Sequence, residues 1–328
     1  MTFIASSVPP RVRIGVIGAG HLGKIHLRLL RDLPGCELTG FYDLNEAVRQ
    51  QVSQALEIPV FSSAEALIAA SDAVDIVTPT LSHSLYAHLA LDAGKHIFIE
   101  KPVTHTLAEA EALAARIHTL GLVGQVGHVE RYNPAFLAVR DRELKPMFIE
   151  GHRLAPYNPR GTDVPVVLDL MIHDLDIVAS LVDSPVASVS ASGVAVVSDS
   201  PDIANARIVF ENGCVANLTA SRISLKTMRR LRLFQRNSYV ALDFYTKEAE
   251  ILQLADAPSG PTSLEIQTDT QRKYLTLDKP TPPEVNAIGA ELADFVAAIQ
   301  TGQPVRVPIS DGVRALAMAE RVLAEISF

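Results

Sequence analysis

Residues 169–178, DLMIHDLDIV, set Asp169, His173, Asp174 and Asp176 in an otherwise apolar run. Wound as a helix at about 100° per residue, Asp169, His173 and Asp176 fall within about 60° of one another, and Asp174 lies outside that stripe. Leu170, Met171, Ile172, Leu175, Ile177 and Val178 take most of the remaining circumference. So narrow a stripe is not the solvated back of an amphipathic helix; it faces a pocket or a buried salt link. A histidine with an ordinary pKa of about 6.5, one turn from a carboxylate, suits proton transfer to or from a hydroxyl. For Asp176 a link to a neighbouring arginine is the better reading, and Asp174 reads as structural.

A second string, RIGVIGAGHLG, runs from an apolar strand into a glycine-rich turn and a helix pattern. Gly18, Gly20 and Gly23 match G-x-G-x-x-G, with His21 and Leu22 inside it. The first glycine allows the tight turn, the second lets a pyrophosphate approach the backbone, and the third lets the helix pack on the sheet. Asp43 closes the next strand candidate, where a carboxylate accepts hydrogen bonds from an adenosine ribose and repels a 2'-phosphate. NAD is therefore expected over NADP, and Arg49 keeps NADP open. Asp43 could instead cap the following helix, for which Asn45 is an equally good cap.

These residues need a scaffold, and the hydrophobic pattern describes one. Strand candidates at 13–18, 37–43, 58–61 (IPVF), 73–79, 95–100 and 122–127 alternate with helix candidates such as HLGKIHLRLLRDL and TLAEAEALAARIHTL. That alternation predicts a doubly wound parallel Rossmann sheet of six strands over residues 1–127, with 1–10 as a loose tail. Beyond it the texture changes to MFIEGHRLA, the Pro-rich loop PYNPRGTDVP, the opening helix, and then consecutive strands without helices between them. Residues 128–328 are thus expected to form an α+β substrate-binding and oligomerisation domain with a large, mostly antiparallel open sheet, closed by helices at about 284–301 and 309–326.

Composition bounds the rest. The 328 residues are 48% hydrophobic and 20% charged, with a formal net charge of −8. That balance argues against broad attraction to nucleic acid or an anionic membrane. The first residues lack a secretory pattern, and no apolar run approaches the ~20 residues needed to span a bilayer. Two cysteines, Cys36 and Cys214, make neither a disulfide framework nor a zinc pattern, so a cytoplasmic location is expected. Among the ten histidines no metal-ligand spacing stands out, and none is expected to hold a metal. His21, His26, His96, His105 and His118 read most simply as surface, capping or packing residues.

The fifth major strand candidate ends in Glu100-Lys101-Pro102. Strand ends on that side of a doubly wound sheet are where ligands bind, which directs Lys101 toward a nicotinamide. GAGHLG, TPTxxH (78–83), AGKH and EKP together resemble the glucose-fructose oxidoreductase/inositol dehydrogenase (Gfo/Idh/MocA) family, over essentially the full chain. The resemblance implies that Thr78, Pro79, His83, Glu100 and Lys101 belong to the cofactor site. It also implies that a D-x-x-x-H motif, here Asp169 and His173, meets the lysine beside the nicotinamide. The family's common form carries small residues around that motif, whereas this chain reads VVLDLMIHD.

GHVERYNPAF, DLMIHDLDIV, TASRIS and DGVRALAMAERVL further resemble the branch of UDP-N-acetylglucosamine 3-dehydrogenases. The activity implied is hydride transfer between a secondary alcohol of a sugar or nucleotide sugar and NAD. His173 or Lys101 serves as base, a choice the residues leave open. An inositol or free-sugar dehydrogenase, or a non-catalytic NAD-sensing regulator on the same fold, are the alternatives. A sugar diphosphate needs cationic or N–H partners. Arg131, Arg153, Arg160 and Arg222 are candidates, with Tyr132, Asn133 and Tyr157 as further hydrogen-bonding groups. By resemblance a homodimer or homotetramer is expected.

Overall fold

The computed structural model describes residues 10–158, 164–258, 263–267 and 272–326. The expected tail, apart from Pro10, lies outside them, as does Arg160. The chain divides into two units, Met1–Val129 with Asn286–Val313, and Glu130–Val285 with Arg314–Phe328. In order, the first stretch forms β1 (Val12–Ile17), α1 (His21–Asp32), β2 (Cys36–Tyr42), α2 (Glu46–Leu56), α3 (Ala64–Ala70), β3 (Ala73–Ile76), α4 (His83–Asp92), β4 (His96–Glu100), α5 (Leu107–Leu120) and β5 (Gly124–Gly127). There follow α6 (Pro134–Leu137), β6 (Phe148–Leu154), α7 (Ile172–Leu181), β7 (Val186–Val194), β8 (Ile203–Phe210), β9 (Val215–Ser221), β10 (Met228–Gln235) and β11 (Ser238–Asp243). The chain then forms β12 (Glu248–Ala255), β13 (Leu264–Gln267), β14 (Arg272–Asp278), α8 (Ala287–Thr301) and α9 (Ile309–Glu325).

The first unit holds a parallel sheet in the order β2-β1-β3-β4-β5. Its strands are covered on both faces, so β3 and β5 are buried at every position, as parallel strands under helices must be. The helices stop where their sequences say: Asn45 caps α2, Thr106 and Glu109 make a capping box on α5, and Gly121 closes α5 at φ +64°. The expected sixth strand, IPVF, is reduced to one parallel bridge between Phe41 and Val60. Pro59 has no N–H to give a ladder, and only its carbonyl is used, by Phe41 N at 3.0 Å.

A single boundary after Gly127 is also replaced, because 286–313 returns to the first unit. Leu292, Phe295 and Val296 of α8 enter the core formed by Val12, Ile14, Leu27 and Phe98, with the rings of Phe98 and Phe295 edge-on at 5.8 Å. Burying each such side chain is worth about 1.5–3 kcal/mol, ample reason for the return.

The second unit holds a nine-stranded sheet in the order β13-β14-β12-β11-β10-β6-β9-β8-β7, antiparallel except for β6 beside β9. Alternation assigns its faces. Ala204, Ala206, Ile208, Leu218, Leu231 and Leu233 point inward onto Met171, Leu175 and Val178 from the opening helix and Met318, Ala319 and Val322 from α9. The opposite face is polar: Arg230 pairs with Asp243 at 2.7 Å and Arg232 with Glu150, so that these two arginines of β10 are held in cross-strand ion pairs.

Charge also lies on the inward face, where Arg229 of β10 stands in register with Arg153 of β6. Arg153 of β6 is buried, and its Nε and Nη2 donate to the Asp174 carboxylate of α7 at 2.7–3.2 Å, while Nη1 donates to Glu130 at 2.8 Å. Replacing Arg153 with Met leaves two carboxylates buried without their cation. The expected loss is about 3–5 kcal/mol of unfolding free energy, read from the denaturant midpoint, and a change below about 1 kcal/mol would contradict this assignment.

Candidate active site

In the first unit the glycine turn has the shape a dinucleotide phosphate requires. Gly18 sits at φ +98°, and a Cβ there would lie 2.5 Å from the Val77 carbonyl. A Cβ on Gly23 would fall 2.1 Å from the Gly18 carbonyl, so the third glycine lets α1 close on β1, whereas a Cβ on Gly20 would meet nothing within 4 Å. The open position is the one a pyrophosphate approaches. Gly20 is also the N-cap of α1, with His21 and Leu22 in the first turn, whose dipole favours negative charge. Asp43 is fixed at the tip of β2: its carboxylate accepts from Ala19 N at 2.8 Å and Asn45 N at 2.9 Å. Asn45, not Asp43, caps α2. The acidic group is thereby tied to the glycine turn. Arg49 donates to the Asp43 and Leu44 carbonyls at 2.7 and 3.2 Å and stacks over Tyr42, so its guanidinium is engaged locally.

The EKP end of β4 is braced from two sides. His83 is buried, with ring nitrogens 2.8 Å from the Pro102 carbonyl and 2.8 Å from the Thr78 carbonyl. Burial holds its pKa below the ordinary imidazole value. His83 thus joins the Thr78-Pro79 turn to the Lys101-Pro102 turn instead of presenting a nitrogen to a ligand. Glu100, expected among the cofactor contacts, turns into the interior. One of its oxygens accepts from Lys101 N at 3.1 Å, and the other lies 3.4 Å from His26 Nε2. Lys101 itself is half-buried at the strand end.

The interior position of His26 was not legible from its type. It is fully buried, with Nδ1 2.9 Å from Asp75 of β3, and Glu291 of α8 completes a set whose His26, Glu100 and Glu291 atoms lie within 4.8 Å of one another. Its spacing from the glycine motif, Gly23-x-x-His26, sets it on the sheet-facing side of α1, which was the available signal.

In the second unit the opening of α7 departs from regular helix. Val167–Met171 winds as a wider π turn, and Leu168 N and Asp169 N both reach back to the Pro165 carbonyl at 3.0 and 3.1 Å. The stripe then divides. Asp169 and His173 are half-buried, whereas Asp174 and Asp176 are buried. Asp174 belongs to Arg153, and Asp176 lies 3.9 Å from Arg131.

Most of the expected diphosphate contacts are likewise internal. Arg153 is spent on Asp174 and Glu130. Asn133 caps α6 through Ala135 N, and its amide donates to Glu130 and the Phe244 carbonyl at 2.8 and 3.0 Å. Arg222 is buried, donates to the Val164 carbonyl at 2.6 Å and lies 3.8 Å from Asp202. Arg131 and Tyr132 are buried, and among the described members of the set only Tyr157 is exposed. Asp202 in turn accepts from the N–H groups of Val196, Val197 and Ser198 and from the Ser198 hydroxyl. Burial opposes its ionisation, but these donors hold its carboxyl well below the usual range. Residue type alone could not separate these roles, because an arginine that binds phosphate and one that pairs with a buried carboxylate look alike in sequence.

Residues 12–128 match the family described as an oxidoreductase family with an NAD-binding Rossmann fold, and residues 156–327 match its C-terminal alpha/beta domain. The chain belongs to the Gfo/Idh/MocA oxidoreductase family. Its first unit is the NAD-binding Rossmann domain, and the chain is an NAD-dependent oxidoreductase. It is 37% identical over 314 residues to UDP-N-acetylglucosamine 3-dehydrogenase of Acidithiobacillus ferrooxidans, covering 95% of this chain and 96% of that protein. A solved structure of that enzyme superposes with a TM-score of 0.86 at 36% identity, over 96% of this chain and 98% of the other. A shorter match, 31% identical over 235 residues, 65% of this chain and 68% of the relative, is to the NAD-dependent scyllo-inositol 2-dehydrogenase of Bacillus subtilis.

Asp43→Ala removes the carboxylate at the tip of β2 and its tie to the glycine turn. NADH affinity measured by fluorescence titration is expected to fall by about tenfold to a hundredfold, the worth of charged hydrogen bonds. An unchanged Kd would remove Asp43 from the cofactor site.

Proposed function

We propose that the enzyme oxidises the 3-hydroxyl of UDP-N-acetylglucosamine to a ketone, with the hydride passing to NAD. The observation that carries this reading is the 37% identity to a UDP-N-acetylglucosamine 3-dehydrogenase across nearly the whole of both proteins, so that both units are included. The division of the α7 stripe supports it. Asp174 and Asp176 are taken up by buried arginines, which leaves Asp169 and His173 as the half-buried pair at the opening of the helix.

NAD, when bound, supplies the hydride acceptor. The chain's own groups handle the proton and the developing charge. His173 takes the proton from the 3-hydroxyl oxygen, and Asp169, one turn earlier, orients the imidazole. Lys101, an ammonium at the end of β4, donates to the same oxygen as it becomes alkoxide-like. With Arg131, Arg153 and Arg222 engaged inside the second unit, Tyr157 and Arg160, both in the segment leading to α7, are the groups we assign to the diphosphate. The reading extends to a cytoplasmic homodimer or homotetramer assembled through the polar face of the nine-stranded sheet. It is consistent with two buried free cysteines and with the absence, among the described residues, of any helix long and apolar enough to cross a membrane.

His173→Ala and Lys101→Ala are each expected to lower kcat by about 10²–10⁴-fold while leaving the Kd for NADH within about twofold. In a panel of UDP-N-acetylglucosamine, N-acetylglucosamine and inositols, followed by NADH absorbance, the nucleotide sugar is expected to show the highest kcat/KM. Preference for an inositol, or unchanged turnover in both variants, would overturn the assignment.

A further inference from the structure

Beneath the EKP turn lies a charge cluster that the proposed chemistry does not use. His26 of α1 has carboxylates on both sides, Asp75 Oδ2 hydrogen-bonded at 2.9 Å from Nδ1 and Glu100 Oε1 at an ion-pair distance of 3.4 Å from Nε2, with no hydrogen bond there. A ring held between two carboxylates is favoured as the imidazolium by their charge. Glu100 therefore has a cation on one oxygen and the Lys101 main-chain N–H on the other at 3.1 Å. Glu291 of α8 has no such support. Its side chain is fully buried, and neither carboxyl oxygen has a hydrogen-bond partner among the described residues. Gln125 of β5, beside it, donates at 2.9 Å to the Glu291 main-chain oxygen, not to the carboxyl. Two carboxyl groups that share a buried site do not both ionise, and the proton goes to the one with fewer donors.

We propose that Glu291 is held as the neutral acid and His26 as the imidazolium, and that together they fix Glu100 as a carboxylate whose hydrogen bond to Lys101 N sets the position of the EKP lysine. Glu291 and His26 are positioning residues, acting on the reaction only through Lys101. Gly127 of β5 belongs to the same device, since a Cβ there would lie 2.8 Å from Glu100 Oε1 and displace the carboxylate. The directions of titration agree with this distribution of protons. Burial, then the Glu100 charge, pushes Glu291 well above the carboxylate range. Burial alone would favour neutral His26, but Asp75 and Glu100 outweigh it and hold the ring's pKa well up. Burial would also raise Glu100, but His26 and Lys101 bring it down.

Groups whose pKa is raised on folding give stability that is fully present below their ordinary value and is lost as pH climbs through the raised one. The stabilisation from His26 and Glu291 therefore fades toward alkaline pH, and Glu291→Gln, a neutral isostere, removes the Glu291 share of that slope.

The test is 15N NMR of the full-length enzyme labelled at histidine, joined to kinetics of variants. At about pH 8 both His26 ring nitrogens are expected at imidazolium shifts, where a free imidazole is neutral; a neutral tautomer overturns the proposal. Glu291→Gln is expected to keep kcat within about threefold, and Gly127→Ala to lower kcat about tenfold or more with the Kd for NADH unchanged. A folded Glu291→Gln that loses turnover as far as Gly127→Ala does shows that the ionised carboxyl is needed and overturns the proposal. So does a stoichiometric divalent ion in the purified enzyme, since the three side chains would then be its ligands. The link to turnover rests on Lys101 acting on the substrate. If Lys101→Ala is fully active, that reading fails by itself, while the His26 shift still decides the protonation.

Discussion

A charge taken out of water has to meet its opposite, and in this chain that constraint decides where the chemistry can be. Arg153, buried on the inner face of β6, grips Asp174 with two nitrogens and Glu130 with a third. The grip sets the rotation of α7 against the sheet. With Asp174 drawn inward, and Asp176 facing Arg131, the polar residues left at the opening of the helix are Asp169 and His173. The π turn at Val167–Met171 lets the chain enter α7 from Pro165 while keeping that arrangement.

The first unit answers the same constraint differently. It surrounds one imidazole with Asp75, Glu100 and Glu291, drawn from β3, β4 and α8, and the helix that carries the imidazole is the one the glycine turn opens. Cofactor turn, lysine turn and returning C-terminal helix are thereby tied to a single buried group. The return of 286–313 to this unit contributes both apolar area, through Leu292 and Phe295, and the carboxyl of Glu291.

Much of this was readable in the sequence where local chemistry dictates geometry. The turn needs glycine at 18 and 23 because a Cβ would strike the backbone, and Asp43 closes β2 as the strand pattern required. The five principal strands and the i, i+4 pair of Asp169 and His173 followed from periodicity. The rest depended on contacts remote in sequence. IPVF has the composition of a strand but Pro59 removes a donor, leaving one bridge. His26 reads as a surface, capping or packing residue without Asp75 and Glu100 against it, and Arg153 and Arg222 stand as candidates for a phosphate or a salt bridge alike without Asp174 and Asp202. An ionisable side chain announces its charge in sequence but not its partner.

The central claim is that C3 of the nucleotide sugar gives its hydrogen to the nicotinamide. UDP-N-acetylglucosamine carrying deuterium at C3 of the sugar, turned over with NAD, tests it most directly. The account predicts deuterium at C4 of the nicotinamide in the NADH formed, together with a 3-keto sugar nucleotide. Deuterium retained at C3 of the sugar while NADH forms would contradict it.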